Sequence, residues 1–425
     1  MLAGGCPGHP LPTPPDAAPA YAPPPAGSAF RLGINEALAV PARLRPRYSR
    51  AQVDAALAED ASASRRLGAR VIRAHNGNFP AVSCATLARN PAGRDDLDSW
   101  VQALGTDLQG LVMLGPWPGN DTAARTDHYL PSDMAAYTAC IRSLVERYDG
   151  DGVDDLPGLV QPIHHWEVDN EPDLKNSAPA RTGDRSADPS TFCTPAEYAE
   201  VLIATSAAIH EADSEAVVLG LGLFRPYAER GQAYAKAVLS VPGAPSALDA
   251  ISLHTYHDDD GDRLGTGIAA IRALLPDKPV WVTEASVTTA GGPEEQARRV
   301  AAYAAHAGAA GAEVLLWHSL ADPPLKTGKP ATQGHFSTNS LLQSIDGGPA
   351  GDKPAAAVYR NLSAKLADHD LRGATIRGGA ATLTTGEVLL FRGVDVAPAG
   401  GENLRTGAEI PAGSTASAPA WLNAP

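Results

Sequence analysis

Eight short strand-like runs alternate with helical patterns between Phe30 and Leu366, and this alternation constrains the fold more than any other feature. The runs are Phe30–Ile34, Arg70–Arg73, Leu111–Leu114, Pro162–Val168, Val217–Leu221, Leu248–His254, Val280–Thr283 and Val314–Leu316. Between them, apolar residues recur at the 3.6-residue spacing of helices buried along one face. Helix starts are legible too. Thr194-Pro195-Ala196-Glu197 reads as a capping box with proline at the first helical position, and Pro293 opens another helix in the same manner. Eight strand–helix units suit a (β/α)8 TIM barrel, an α/β fold that commonly takes about 200 to 400 residues or more. The rival is a doubly wound sheet. It is disfavoured because no G-x-G-x-x-G follows a strand and no phosphate-binding P-loop occurs.

This divides the chain into a barrel over residues 29–366 and two flanks. Residues 1–28 are about two-thirds Pro, Ala and Gly, a composition that forms an extended spacer rather than a core. Residues 367–425 offer three short strands, Ala374–Arg377, Ala381–Thr384 and Val388–Arg392, expected to pack on the barrel before a Pro/Gly/Ser-rich flexible tail. Leu2-Ala3-Gly4-Gly5-Cys6 resembles the end of a bacterial lipoprotein signal, in which Cys6 would carry the lipid anchor. Export, to the periplasm or a lipid-anchored cell surface, is the expectation; if Met1 is the true start the protein stays in the cytoplasm. Cys84 and Cys193 fall in loops at one end of the barrel and would pair in an oxidising compartment, whereas Cys140 reads as a small core residue of a helix.

Lys and Arg number 34 against 48 Asp and Glu, a net charge of −14. Such a surface repels phosphate backbones and anionic headgroups, so nucleic acid and membrane surfaces are poor partners. No apolar run approaches the roughly 20 residues of a transmembrane helix.

In a barrel of this kind the active site lies at the C-terminal ends of the strands. Strand two ends in Arg73-Ala74-His75, and strand four in His165-Trp166-Glu167-Val168-Asp169-Asn170-Glu171-Pro172. Strand six ends in His254-Thr255-Tyr256, strand seven in Thr283-Glu284 and strand eight in Trp317. Two carboxylates on opposite sides of a mouth lined by Arg, His, Tyr, Asn and Trp are equipment for acid/base and nucleophilic work on a sugar.

Asn170-Glu171-Pro172 after strand four, with Glu284 closing strand seven, resembles glycoside hydrolase clan A, the four/seven superfamily of retaining glycosidases. The segment from Tyr148 to Gly158 leading into His165-Trp166-Glu167 resembles family 39-like bacterial members. The likeness spans roughly Phe30 to Leu366. It implies Glu171 as general acid/base and Glu284 as nucleophile of a double displacement on a β-linked glycoside or glycan. It further implies Asn170 on the sugar 2-hydroxyl, Arg73 and Tyr256 against Glu284, and His254 and Trp317 lining the subsite. No metal and no cofactor belong to that chemistry, and the partner is a carbohydrate substrate. A transglycosylase would use the same two glutamates; a carbohydrate-binding pseudoenzyme would have no need of the matched pair.

Simpler readings stand beside these. Arg73 also suits a structural ion pair with Glu167, and both roles can hold together. Trp100 and Trp281 read as packing against helices, and Trp117 as either a sugar platform or loop core. His164-His165 is no metal pair, since neighbours on a strand face opposite sides. The acidic runs Asp149–Asp155 and Asp258–Asp262 depart from calcium-loop patterns and read as solvated loops. The same alternation forbids Asn170 and Glu171 from both facing the barrel axis in a regular strand, so the strand must end or bulge there.

Overall fold

The computed structural model describes residues 29–35, 49–74, 92–115, 130–131, 133–175, 193–257, 259–322, 338–345 and 348–425. Residues 1–28 with Cys6, together with Cys84 and Trp117, lie outside these residues.

The chain folds as a (β/α)8 TIM barrel. The elements run β1 (Arg31–Asn35), α1 (Arg50–Arg66), β2 (Val71–Ala74), α2 (Ala92–Leu104), β3 (Gln109–Leu114), α3 (Met134–Glu146) and β4 (His165–Val168). They continue through α4 (Pro172–Lys175), α5 (Pro195–Ala212), β5 (Val217–Leu223), α6 (Glu229–Leu239), β6 (Ala250–Thr255), α7 (Asp262–Arg272), β7 (Val280–Ala285), α8 (Pro293–Ala309) and β8 (Ala312–His318). Strands β1 to β8 pair in sequence order, all parallel, and β1 closes on β8 with Gly33 opposite Leu316. Closure is tight. A Cβ at Gly33 would sit 2.4 Å from Leu316 Cδ2 and from the Val71 carbonyl oxygen, so only glycine fits.

The helices form for the reasons the sequence suggests. Thr194 Oγ1 accepts from Glu197 N at 3.2 Å while Glu197 reaches back to Thr194 N at 2.9 Å, which satisfies two end groups of α5 reciprocally. Tyr198, Val201, Leu202 and Ile209 of that helix are fully buried. Inside the barrel, Val71, Leu111, Leu219, Ala250, Trp281, Val314 and Leu316 form a plug separate from the larger shell between strands and helices. Trp281 therefore points inward, contrary to the expectation that it packs against helices. It stacks on His165 with ring centroids 5.1 Å apart.

After β8 come the hairpin β9 (Leu342–Ile345) and β10 (Gly348–Asp352), then α9 (Pro354–Lys365). Three short strands follow close to the expected places: β11 (Thr375–Arg377), β12 (Ala380–Thr382) and β13 (Val388–Leu390). The expected flexible tail is structured instead, as β14 (Val394–Ala397), β15 (Gly401–Asn403), β16 (Glu409–Ile410), β17 (Ser414–Ser417) and β18 (Ala420–Leu422). These strands are two to four residues long, too short to show the alternation by which strands are recognised. The glycines that resemble a linker turn the chain, for example Gly400 and Gly413, both at φ +77°. One six-stranded sheet and a two-stranded ribbon result. The sheet packs on α8, where Arg298 Nη1 donates to the Phe391 carbonyl at 3.0 Å and His306 meets the Phe391 ring.

The cysteines also depart from expectation. Cys140 is half-buried and disulfide-bonded, so it is not a core thiol. Cys193 is a buried thiol 3.4 Å from the Tyr234 hydroxyl, which removes the pairing with Cys84. Among the described residues no helix is long and apolar enough to cross a membrane.

Candidate active site

Arg73 is the hub of the barrel mouth. It points inward from β2 and is wholly buried. Its Nε donates to Glu167 of β4, and Nη1 donates to Glu284 of β7 at 2.5 Å and to Asn35 of β1 at 3.1 Å. Its Nη2 donates to Asn170 at 2.9 Å and lies 3.4 Å from Met113 Sδ of β3. One rigid guanidinium thus fixes side chains from four other strands or strand ends. Burial alone would lower its proton affinity, but the Glu167 and Glu284 carboxylates hold it above the ordinary arginine range.

Glu284 has both oxygens engaged, Oε1 by Arg73 and Oε2 by the Tyr256 hydroxyl. Two donors on one buried carboxylate favour its ionised form. Glu171 differs in kind. Its side chain is 15 % exposed, and its Oε1 meets His254 Nδ1 at 3.0 Å. His254, fully buried on β6, also lies 3.6 Å from Glu284 Oε2 and 3.1 Å from Thr283 Oγ1. A carboxylate oxygen of Glu171, one of Glu284 and a ring nitrogen of His254 all fall within 4.8 Å of one another.

The backbone explains how both Asn170 and Glu171 reach this point. β4 ends at Val168, and Asp169 (φ +65°) and Glu171 (φ +50°) take left-handed conformations costly for residues other than glycine. β5 braces the break: Glu171 N donates to the Gly222 carbonyl at 3.1 Å. On β7 a bulge does similar work. Leu253 pairs with Val282 and His254 with Glu284, which leaves Thr283 as an extra residue and lets it and Glu284 both serve the interior.

Trp317 requires a correction. It is 1 % exposed, donates from its indole N–H to the Asn339 carbonyl at 2.9 Å, and packs edge-on against Tyr303 of α8. It belongs to the outer core and does not line the mouth. Its neighbour His318 does: Nδ1 accepts from Asn35 Nδ2 at 2.8 Å, and the ring lies edge-on to Tyr256. The strand-end rule finds the right strand and the wrong parity, because Leu316 rather than Leu315 faces the axis. Sequence reasoning also passes over Asn35 and Thr283. Their signal, a polar residue at the C-terminal end of a buried strand, is present at both positions.

A cation at Glu171, His254 and Glu284 would meet the Arg73 guanidinium already on Glu284, which makes this trio a poor metal cage. Glu146, Asp149 and Asp151 form a second acidic group, but Asp149 and Asp151 cap the turn, accepting from Asp151 N at 3.3 Å and Val153 N at 2.7 Å.

Comparison with known proteins follows the same lines. Residues 168–314 match the family model of the glycosyl hydrolase catalytic core. Similar solved structures include a family 39 glycoside hydrolase from Bacteroides cellulosilyticus, at 13 % identity and TM-score 0.62, covering 96 % of this chain and 81 % of that one. A monomeric β-xylosidase from Caulobacter crescentus shares 17 % identity at TM-score 0.53, covering 87 % of this chain and 74 % of that one. An exo-β-1,4-mannosidase from an Opitutaceae bacterium shares 18 % at TM-score 0.56, covering 81 % of this chain and 61 % of that one. No curated protein matches the sequence. Residues 168–314, across the strands that carry Glu171, His254 and Glu284, are thus similar to the glycosyl hydrolase catalytic core, and the barrel resembles in fold those of a family 39 enzyme and other glycosidases.

Proposed function

We propose that the protein is a retaining glycoside hydrolase acting on β-linked glycosides or glycans, with Glu284 as nucleophile and Glu171 as general acid/base. The observation that carries this reading is the approach of the two carboxylates to within 4.8 Å of one another at the ends of β4 and β7. Retaining enzymes hold them about 5 to 5.5 Å apart, whereas inverting enzymes leave about 6.5 to 9.5 Å for a water. In the first step Glu171 gives its proton to the glycosidic oxygen. The C1–O bond breaks with its pair on that oxygen, and a Glu284 oxygen bonds C1. In the second step water bonds C1, its proton goes to Glu171, and Glu284 leaves with the bonding pair. Asn170, whose amide oxygen accepts from Arg73, would hold the sugar 2-hydroxyl. The Cys140 disulfide supports export, since such bonds persist in oxidising compartments.

Transglycosylation would use the same groups; product analysis with an added acceptor sugar separates the two. The decisive test is covalent capture. A 2-deoxy-2-fluoro glycoside, chosen from aryl xylosides, mannosides, glucosides and galactosides that turn over, should label Glu284, and a label on another carboxylate sinks the assignment. Glu171→Ala should cripple substrates with poor leaving groups and spare activated ones at the first step. Added azide should rescue it to a β-glycosyl azide, while Glu284→Ala with azide should give the opposite anomer.

A further inference from the structure

We infer that Thr283 is a positioning residue that fixes the tautomer of His254 and thereby holds the catalytic proton on Glu171. The inference rests on the two-glutamate reading and follows from counting protons along one buried chain. Glu167 faces the Arg73 guanidinium with one oxygen and accepts the Thr283 hydroxyl with the other, at 2.9 Å. An ionised carboxylate only accepts. The single hydroxyl proton of Thr283 is therefore committed to Glu167, and toward His254 Nε2, 3.1 Å away, that hydroxyl has only lone pairs to offer. Nε2 must carry a hydrogen. In the neutral imidazole Nδ1 is then bare, and its 3.0 Å bond to Glu171 exists only if Glu171 supplies the proton.

The consequence serves both steps. Before cleavage, the bare Nδ1 favours the protonated Glu171 that the leaving group needs. After cleavage, the ionised Glu171 faces a lone pair instead of a donor, so it takes a proton from the incoming water more readily. The reverse tautomer would do harm in both, because an Nδ1–H would stabilise the carboxylate. Other charged and titratable groups facing His254 are Glu284 at 3.6 Å from β7 and Asp173 just beyond β4, with Glu167 behind Thr283. Arg73 and Tyr256 are turned toward Glu284.

Nitrogen-15 NMR of the histidine-labelled full chain should show His254 protonated at Nε2 and bare at Nδ1 near neutral pH, the signal assigned by its loss in His254→Gln. In Thr283→Val the alkaline limb of kcat/KM should move to lower pH by about one unit, most visibly with poor leaving groups. Thr283→Ser, which keeps the hydroxyl, should restore the wild-type limb. A proton found on Nδ1 in the wild type overturns the inference, as does a Thr283→Val variant slowed equally at every pH or a serine variant that behaves like valine. A chain that turns over no glycoside ends the two-glutamate reading alone, because the NMR result on the unaltered protein still decides the tautomer.

Discussion

The two ends of the barrel interior use similar residue types for different ends. At the floor, Arg31 donates to Gln109 at 2.9 Å and lies over the Trp281 ring, Gln109 meets His165 at 2.8 Å, and His165 stacks on the same indole. At the mouth, Arg73 and His254 stand instead among Glu167, Glu171 and Glu284. Without a carboxylate in contact, burial followed by the positive charge of Arg31 pushes His165 down to about 4, so it packs as a neutral ring. An arginine and a histidine in a buried barrel therefore say little by themselves. Their partners decide between packing and proton transfer.

The contrast breaks most sharply at Glu284. Glu284→Gln keeps the shape and removes the proposed nucleophile, and turnover should fall by about 10⁴-fold or more. His165→Gln at the floor should leave turnover within about twofold. Comparable losses in steady-state assays of the two would erase the distinction. Arg73→Lys keeps a charge but loses the planar fork, so kcat should fall by about 10²-fold. Denaturant unfolding should also show a loss on the order of 3 kcal/mol, since buried carboxylates lose donors.

The floor has its own pH signature. His165 gains a proton more easily unfolded than folded, so its contribution to stability is complete above the unfolded value near 6.5. It is lost as pH falls from there toward 4, in total on the order of 3 kcal/mol. His165→Gln should flatten that part of the stability profile measured by denaturation from pH 7 to 4. The smallest expected effect lies at the strand break. Glu171→Gly relieves a left-handed glutamate and should raise stability by about 1 kcal/mol while activity on poor leaving groups is lost. A destabilised variant would show that contacts of the Glu171 side chain outweigh its backbone strain.

How much of this the sequence disclosed follows from these particulars. The barrel was legible because eight buried strands alternate with capped helices. That Glu171 and Glu284 meet at the mouth was legible because residues at the C-terminal ends of barrel strands gather there. Trp317 misled because one residue of register decides between mouth and outer core, and the run Val314–Trp317 is apolar at every position and carries no alternation to read. Thr283 was passed over because its inward aim depends on a bulge, set by pairing with β6 rather than by β7 itself. The last strands were hidden by their brevity.

The arginine hub has a consequence for how activity is acquired. Its hydrogen bonds join residues 211 positions apart at Glu284, and Asn35 reaches His318 across 283 positions, where the first strand meets the last. No four-strand half of the barrel holds both sides of either bond. Turnover during refolding is therefore a reporter of ring closure, and should lag behind the recovery of helical signal by the time the first and eighth strands take to find each other.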